Sequence, residues 1–209
     1  MCRLIGGFLL GVMWSIAALA QSSGIAPDAL AKKVTEEVLV IVRTDKDIRA
    51  GNTKKILDLV DAKVLPHFNF SRMTRLAVGA PWRQATAAQR QSLTDEFRAL
   101  LVHTYTSAFT QYRDQVVEYK PLKLQAGDTE VVVRSLIKQQ GGADPIDINY
   151  SMEKTDAGWK VYDVTIAGVS LVQNYRSSFS SEIQRSGIDG LIATLATKNR
   201  TLAQQSTRK

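Results

Sequence analysis

Ser170 stands in the stretch D-V-T-I-A-G-V-S-L-V-Q-N-Y-R-S-S-F, Asp163 to Phe179, where a β-branched run meets a turn and then a helical pattern. A hydrolase carries its nucleophile at such a corner, and Gly168-Val169-Ser170 supplies the first half of a G-x-S-x-G elbow. Val172 occupies the place of the second glycine. In that enzyme class the catalytic histidine follows the serine, yet His67 and His103 both precede Ser170. The same residues read as a capping box, S-L-V-Q, in which the serine oxygen accepts the N–H three residues on and Gln173 reaches back. A helix cap is the expected role, and an exported esterase using Ser170 is the competing one.

Other reactive groupings fall away on spacing. Asp147 and Glu153 lie on one strand six residues apart, roughly 20 Å along a straight strand, too far for a carboxylate pair acting on one bond. Asp95 and Glu96 are adjacent on a helical pattern and so point in different directions. Two separated histidines do not form the clustered spacing of a zinc or iron site, and no glycine-rich phosphate loop is present. No metal, cofactor or catalytic residue is expected.

The first twenty residues read separately from the rest. Arg3 precedes the apolar run L-I-G-G-F-L-L-G-V-M-W-S-I, and Ala18-Leu19-Ala20 forms an A-x-A cleavage site. Residues 1–20 are therefore expected to be a secretory signal peptide, with a mature single domain over 21–209 that starts at Gln21. The run is too short and glycine-broken for a membrane anchor. The only cysteine, Cys2, would leave with the leader, so stability must come from a core rather than from disulfides. Losing Arg3 takes the formal charge from +7 to 7 − 1 = +6. An exported basic chain is more plausibly matched to anionic lipid head groups or acidic protein faces than to nucleic acid.

The periodicity shows what would hold these residues. Pro27 suits a first helical position, and Leu30, Val34, Val38 and Ile41 follow at helical spacing in a helix expected to end near Gly51. Asn52 or Thr53 caps a second helix that stops before Pro66. A short apolar helix ends at Gly79, and T-A-A-Q, Thr86 to Gln89, opens a long one carrying Leu93, Phe97, Leu101, Tyr105, Phe109 and Tyr112. From Val116 the period becomes two, giving strands over 116–124, 130–139, 146–153 and 159–166 joined by turn compositions. Ile146, Ile148, Tyr150 and Met152 alternate with polar residues, so this sheet has one apolar face. Two more helices follow, split at Gly187. The expected fold is α+β, an antiparallel curved sheet of four or slightly more strands with helices packed on one face.

Two long strings carry a family resemblance. F-N-F-S-R-M-T-R-L-A-V-G-A-P-W-R, running on through the long helix, and G-W-K-V-Y-D-V-T-I-A-G-V-S-L-V-Q-N-Y-R-S-S-F resemble the MlaC family, also called the toluene-tolerance auxiliary family. The likeness runs over about 29–202. It implies a periplasmic phospholipid carrier that hides lipid tails between sheet and helices, maintaining outer-membrane lipid asymmetry without catalysis. It also implies partners: an inner-membrane ABC transporter with its membrane-attached substrate-binding subunit, and an outer-membrane lipoprotein associated with porins. A non-catalytic periplasmic adaptor is a further alternative. Under the carrier reading the sheet offers Val131, Val133, Ile148, Tyr150, Val164 and Ile166 as cavity lining. The helices offer Phe97, Leu101, Tyr105, Leu171, Val172 and Tyr175. Plain core packing would use the same residues. Trp82 and Arg83 are candidates for a cavity mouth or a partner contact.

Overall fold

The computed structural model describes residues 24–106, 115–139 and 144–206. The expected leader, its cleavage at Gln21, and Phe109 and Tyr112 of the long-helix stripe lie outside the described residues.

Helix α1 (Pro27–Thr44) starts on its proline and stops at Asp45, short of the expected end near Gly51. The reason is local: the Asp45 carboxylate accepts the N–H groups of Asp47 and Ile48 at 2.8 and 3.0 Å, capping a separate one-turn helix α2 (Lys46–Arg49). Asn52 caps α3 (Thr53–Lys63), and Asn69 caps α4 (Phe70–Val78) by accepting the Arg72 N–H. A 3-10 turn, Leu65–His67, joins those two helices. Gly79 closes α4 at φ 73° and ψ −138°, a backbone region that a side chain would strain, and a second 3-10 turn spans Ala80–Arg83. Helix α5 (Ala87–Tyr105) opens on the full capping box of Thr86 and Gln89 that the sequence pattern predicts.

Strands β1 (Val116–Tyr119), β2 (Glu130–Lys138), β3 (Ile146–Thr155), β4 (Gly158–Ile166) and β5 (Val169–Ser170) form one antiparallel sheet in chain order. β1 is shorter than expected, ending at Tyr119 with one more bond from the Lys120 N–H to the Arg134 carbonyl before Pro121. β5 was not anticipated, since two residues are too few to show a period. It borders β4, as does an isolated bridge from Phe68 to Val161. Last comes α6 (Leu171–Ser206), broken at Gly187 (φ 73°) as the sequence suggests. Among the described residues no helix is long and apolar enough to cross a membrane.

Register fixes the faces of the sheet. Val131, Val133, Ser135 and Ile137 stand opposite Met152, Tyr150, Ile148 and Ile146, all on the inner face. A bulge then re-phases β4: Ser151 faces Asp163 and Met152 faces Val161, which leaves Tyr162 as the extra residue. Val161 and Val164 thereby face inward together although they are three residues apart.

The apolar interior is divided. One cluster, within α4, α5 and α6, is solid: Leu93 and Phe97 are 0% exposed, and Phe97 meets Tyr175 and Phe179 edge to face, each at 5.2 Å between centroids. A second joins α1, α2 and α3 through Val38, Val42, Ile48, Ile56, Leu59 and Val60. The third belongs to the sheet, around Val133, Met152, Trp159, Val161 and Val164.

Candidate functional site

Where the three clusters approach one another they leave a cavity of about 370 Å³. Each cluster supplies a wall. Leu30, Val34, Val38, Leu39 and Val42 project from α1, with Val60, Val64 and Leu65 beyond them. Phe70 and Met73 of α4 join Leu101 and Tyr105 of α5, and the floor is the inner sheet face with Ile148, Tyr150, Met152, Val161, Val164 and Ile166. Such a surface offers contact without direction, which suits hydrocarbon rather than a polar substrate.

Few polar side chains reach it. Thr35 on α1 and Tyr150 on β3 face the cavity and belong to a hydroxyl cluster that Tyr119 and Ser135 complete. Thr35 Oγ1 and Tyr119 Oη lie 2.6 Å apart, the Tyr119 hydroxyl donates to the Ala31 carbonyl at 3.1 Å, and Ser135 donates to the Ile148 carbonyl at 2.9 Å. The cluster fastens α1 to the sheet across the cavity. Burial pushes the hydroxyl pKa of both Tyr119 and Tyr150 above the usual phenol value, so both remain neutral donors. His67 lines the opposite side, where burial and then the Lys160 charge hold its pKa below the ordinary value. It is neutral at pH 7. Among the described residues no group of histidine, cysteine, aspartate and glutamate could hold a metal ion.

The structure places Leu101, Tyr105, Ile148, Tyr150, Val164, Ile166 and Leu171 on the cavity wall. Val131 and Val133 share the inner face but pack inside the sheet cluster. Phe97, Val172 and Tyr175 lie in the solid helical cluster, where facing rings fill the space. Trp82, 8% exposed, is buried in that cluster too, whereas Arg83 is exposed. Sequence reasoning missed the α1 wall and the aromatic–methionine edge of α4, although the stripe Leu30, Val34, Val38 was visible as a helix face.

Ser170 is occupied structurally. Its hydroxyl donates to Asp163 Oδ2 at 2.5 Å and accepts the Gln173 N–H at 3.0 Å, while Asp163 Oδ1 accepts the Val172 N–H at 3.1 Å. Serine and aspartate together cap α6. Neither histidine bonds to Ser170 among the described residues; the carboxylate that accepts its hydroxyl, Asp163, is itself engaged in capping α6.

Comparison with known proteins gives this geometry a context. A family model described as "MlaC protein" matches residues 32–197. The intermembrane phospholipid transport system binding protein MlaC of Haemophilus influenzae is 24% identical over 180 residues, 85% of this chain and 83% of that protein. The toluene tolerance protein ttg2D of Pseudomonas putida is 23% identical over 164 residues, 78% of this chain and 75% of its own. A phospholipid-binding protein from Ralstonia solanacearum, solved in complex with a phospholipid, is 41% identical with a TM-score of 0.78, covering 84% of this chain and 98% of that one.

Proposed function

The chain belongs to the MlaC family, and from that premise we propose that it is a phospholipid carrier whose acyl chains occupy the cavity between α1, α4, α5 and the inner sheet face. The observation that carries this reading is the cavity itself, an almost wholly apolar space walled by α1, α4, α5 and the inner sheet face. Lipid tails need such a space: exposing some thirty methylene groups to water costs about 0.8 kcal/mol each, on the order of 25 kcal/mol for a two-tailed lipid. The cavity's volume is near the lower end of the roughly 300–1,000 Å³ typical of small-molecule pockets.

The carrier would work in the periplasm, between an inner-membrane ABC transporter with its membrane-attached binding subunit and an outer-membrane lipoprotein. The name of the Haemophilus influenzae relative supports an intermembrane transport system of this kind. Hydrolysis of the cargo is disfavoured by the paired Ser170 and Asp163.

Purified native protein extracted with organic solvent should release near-stoichiometric phospholipid, read by mass spectrometry. An apolar cavity has no comparable contact to offer in water. Protein that emerges from cells free of lipid would sink the proposal.

A further inference from the structure

The motif G-x-x-W-R, Gly79 to Arg83, takes no part in the cavity, yet four arginines belong to it or to the segments beside it. Arg75 sits in the last turn of α4, and its carbonyl accepts the Gly79 N–H. The Arg176 guanidinium, from α6, lies 3.6 Å from the point where a Cβ on Gly79 would be. Arg90 reaches back from the first turns of α5, donating to the Trp82 carbonyl at 3.1 Å and the Arg83 carbonyl at 3.2 Å, with its guanidinium 5.7 Å from the Trp82 ring. Arg83 itself is exposed, as are Arg75 and Arg176.

Among the described residues none of the four has a carboxylate partner. Elsewhere the surface pairs many of its cations: Lys32 with Glu36, Lys33 and Lys63 with Glu37, Lys54 with Asp58, Lys55 with Asp45 and Asp47, Arg98 with Asp61. Four arginines without carboxylate partners, in and beside one turn, make this stretch locally cationic, a charge that a binding partner's acidic groups would offset.

We propose that this turn is a docking platform for an acidic face of a partner protein. Every cation in it is arginine, whose planar fork matches carboxylates two bonds at a time. A membrane-surface site would add exposed apolar side chains for insertion. Among the described residues the exposed large hydrophobics, Ile25, Val40, Val116, Leu124, Val132 and Val169, all lie outside α4 and the Gly79–Arg90 segment. The platform also rests on α4, α5 and α6, which share the solid cluster around Phe97. The proposal rests on the reading of this chain as a carrier that docks on membrane-bound proteins.

The test uses the full chain labelled with ¹⁵N at arginine, a glutamate-rich peptide, and vesicles of phosphatidylglycerol and phosphatidylethanolamine. The peptide should shift the Nε–H signals of these four arginines. The triple variant Arg75→Glu, Arg83→Glu, Arg176→Glu should bind it at least about tenfold more weakly. The same charge reversal at Lys46, Lys123 and Lys198 should change binding by no more than its long-range share, about two- to threefold. Circular dichroism checks that both variants are folded. Equal losses in the two variants, or vesicle binding that the arginine triple alone abolishes, overturn the proposal. Co-purified lipid is measured in parallel: its absence from the wild type defeats the carrier reading, whereas an unaltered peptide affinity in the arginine triple defeats only the platform.

Discussion

The helical cluster around Phe97 and the cavity under α1 are built from the same residue types, and they do opposite things with them. At Phe97 the facing rings of Tyr175 and Phe179 interlock at 5.2 Å, and nothing is left open. Under α1, Leu30 packs on the sheet cluster, while Val34, Val38 and Leu39 look across to Ile148, Tyr150 and Val164 without filling the gap. The difference is in what stands behind each wall. Val38 and Val42 are held by Ile56 and Val60, and the sheet residues by Met152 and Trp159, so each wall has packing partners besides the other. A void persists where each of its walls has packing partners of its own.

The sharpest way to break this contrast is to hollow out the solid side. Phe97→Ala should cost about 3–5 kcal/mol, read as a lower midpoint in urea, because the cavity it leaves has fixed neighbours. A loss below 1 kcal/mol would mean that this core is as yielding as the cavity. Next comes a charge on the cavity side. Ile148→Glu places an ion against hydrocarbon and should reduce co-purified phospholipid by about tenfold or more in protein that is still folded by circular dichroism. Asn149→Glu, one residue on and turned to the other face, should load normally. Equal loading of the two variants would refute the assigned lining.

A smaller effect is expected at the joint between the two walls. Tyr119→Phe removes the hydroxyl that ties α1 to β1 and should destabilise by about 1–2 kcal/mol. It should also change the response to alkali. Tyr119 and Tyr150 have folded pKa values above the unfolded value of about 10, so the stabilisation from their neutral forms is complete below that pH. It is lost as pH rises beyond about 10. Urea midpoints measured from pH 9 to 11.5 should fall less steeply in Tyr119→Phe than in the wild type; identical slopes would mean that the buried hydroxyl is not what titrates. Smallest of all, Ser170→Ala should remove about 1 kcal/mol of helix capping and leave lipid content unchanged. Loss of a measurable esterase activity in this variant would revive the nucleophile.

Phe97 and Leu101 show how far a sequence can be read. They are one helical turn apart on the same stripe of α5, and periodicity assigns both to the buried face, which is correct. Only Leu101 reaches the cavity, because depth depends on what another part of the chain places opposite. The strands, the Thr86 capping box and the break at Gly187 were legible since each is a local rule: alternation, a side-chain cap, a positive φ. The bulge at Tyr162 and the two-residue β5 were not, because both are relations between strands. The α1 wall lay between these cases. Its stripe was plain, but its partner was not.

The short pairings beside β4 have a further consequence for a protein that must circulate in water. An open sheet ends in a strand with unpaired N–H and C=O groups, a template on which a second molecule can add its own strand. Here Phe68 and Asn69 lie along β4 at Val161, the Asn69 N–H bonding its carbonyl, and Val169 and Ser170 pair with Ile166 and Thr165. At the opposite margin β1 runs for only four residues before Pro121. Both margins are therefore poor seeds for intermolecular β-pairing.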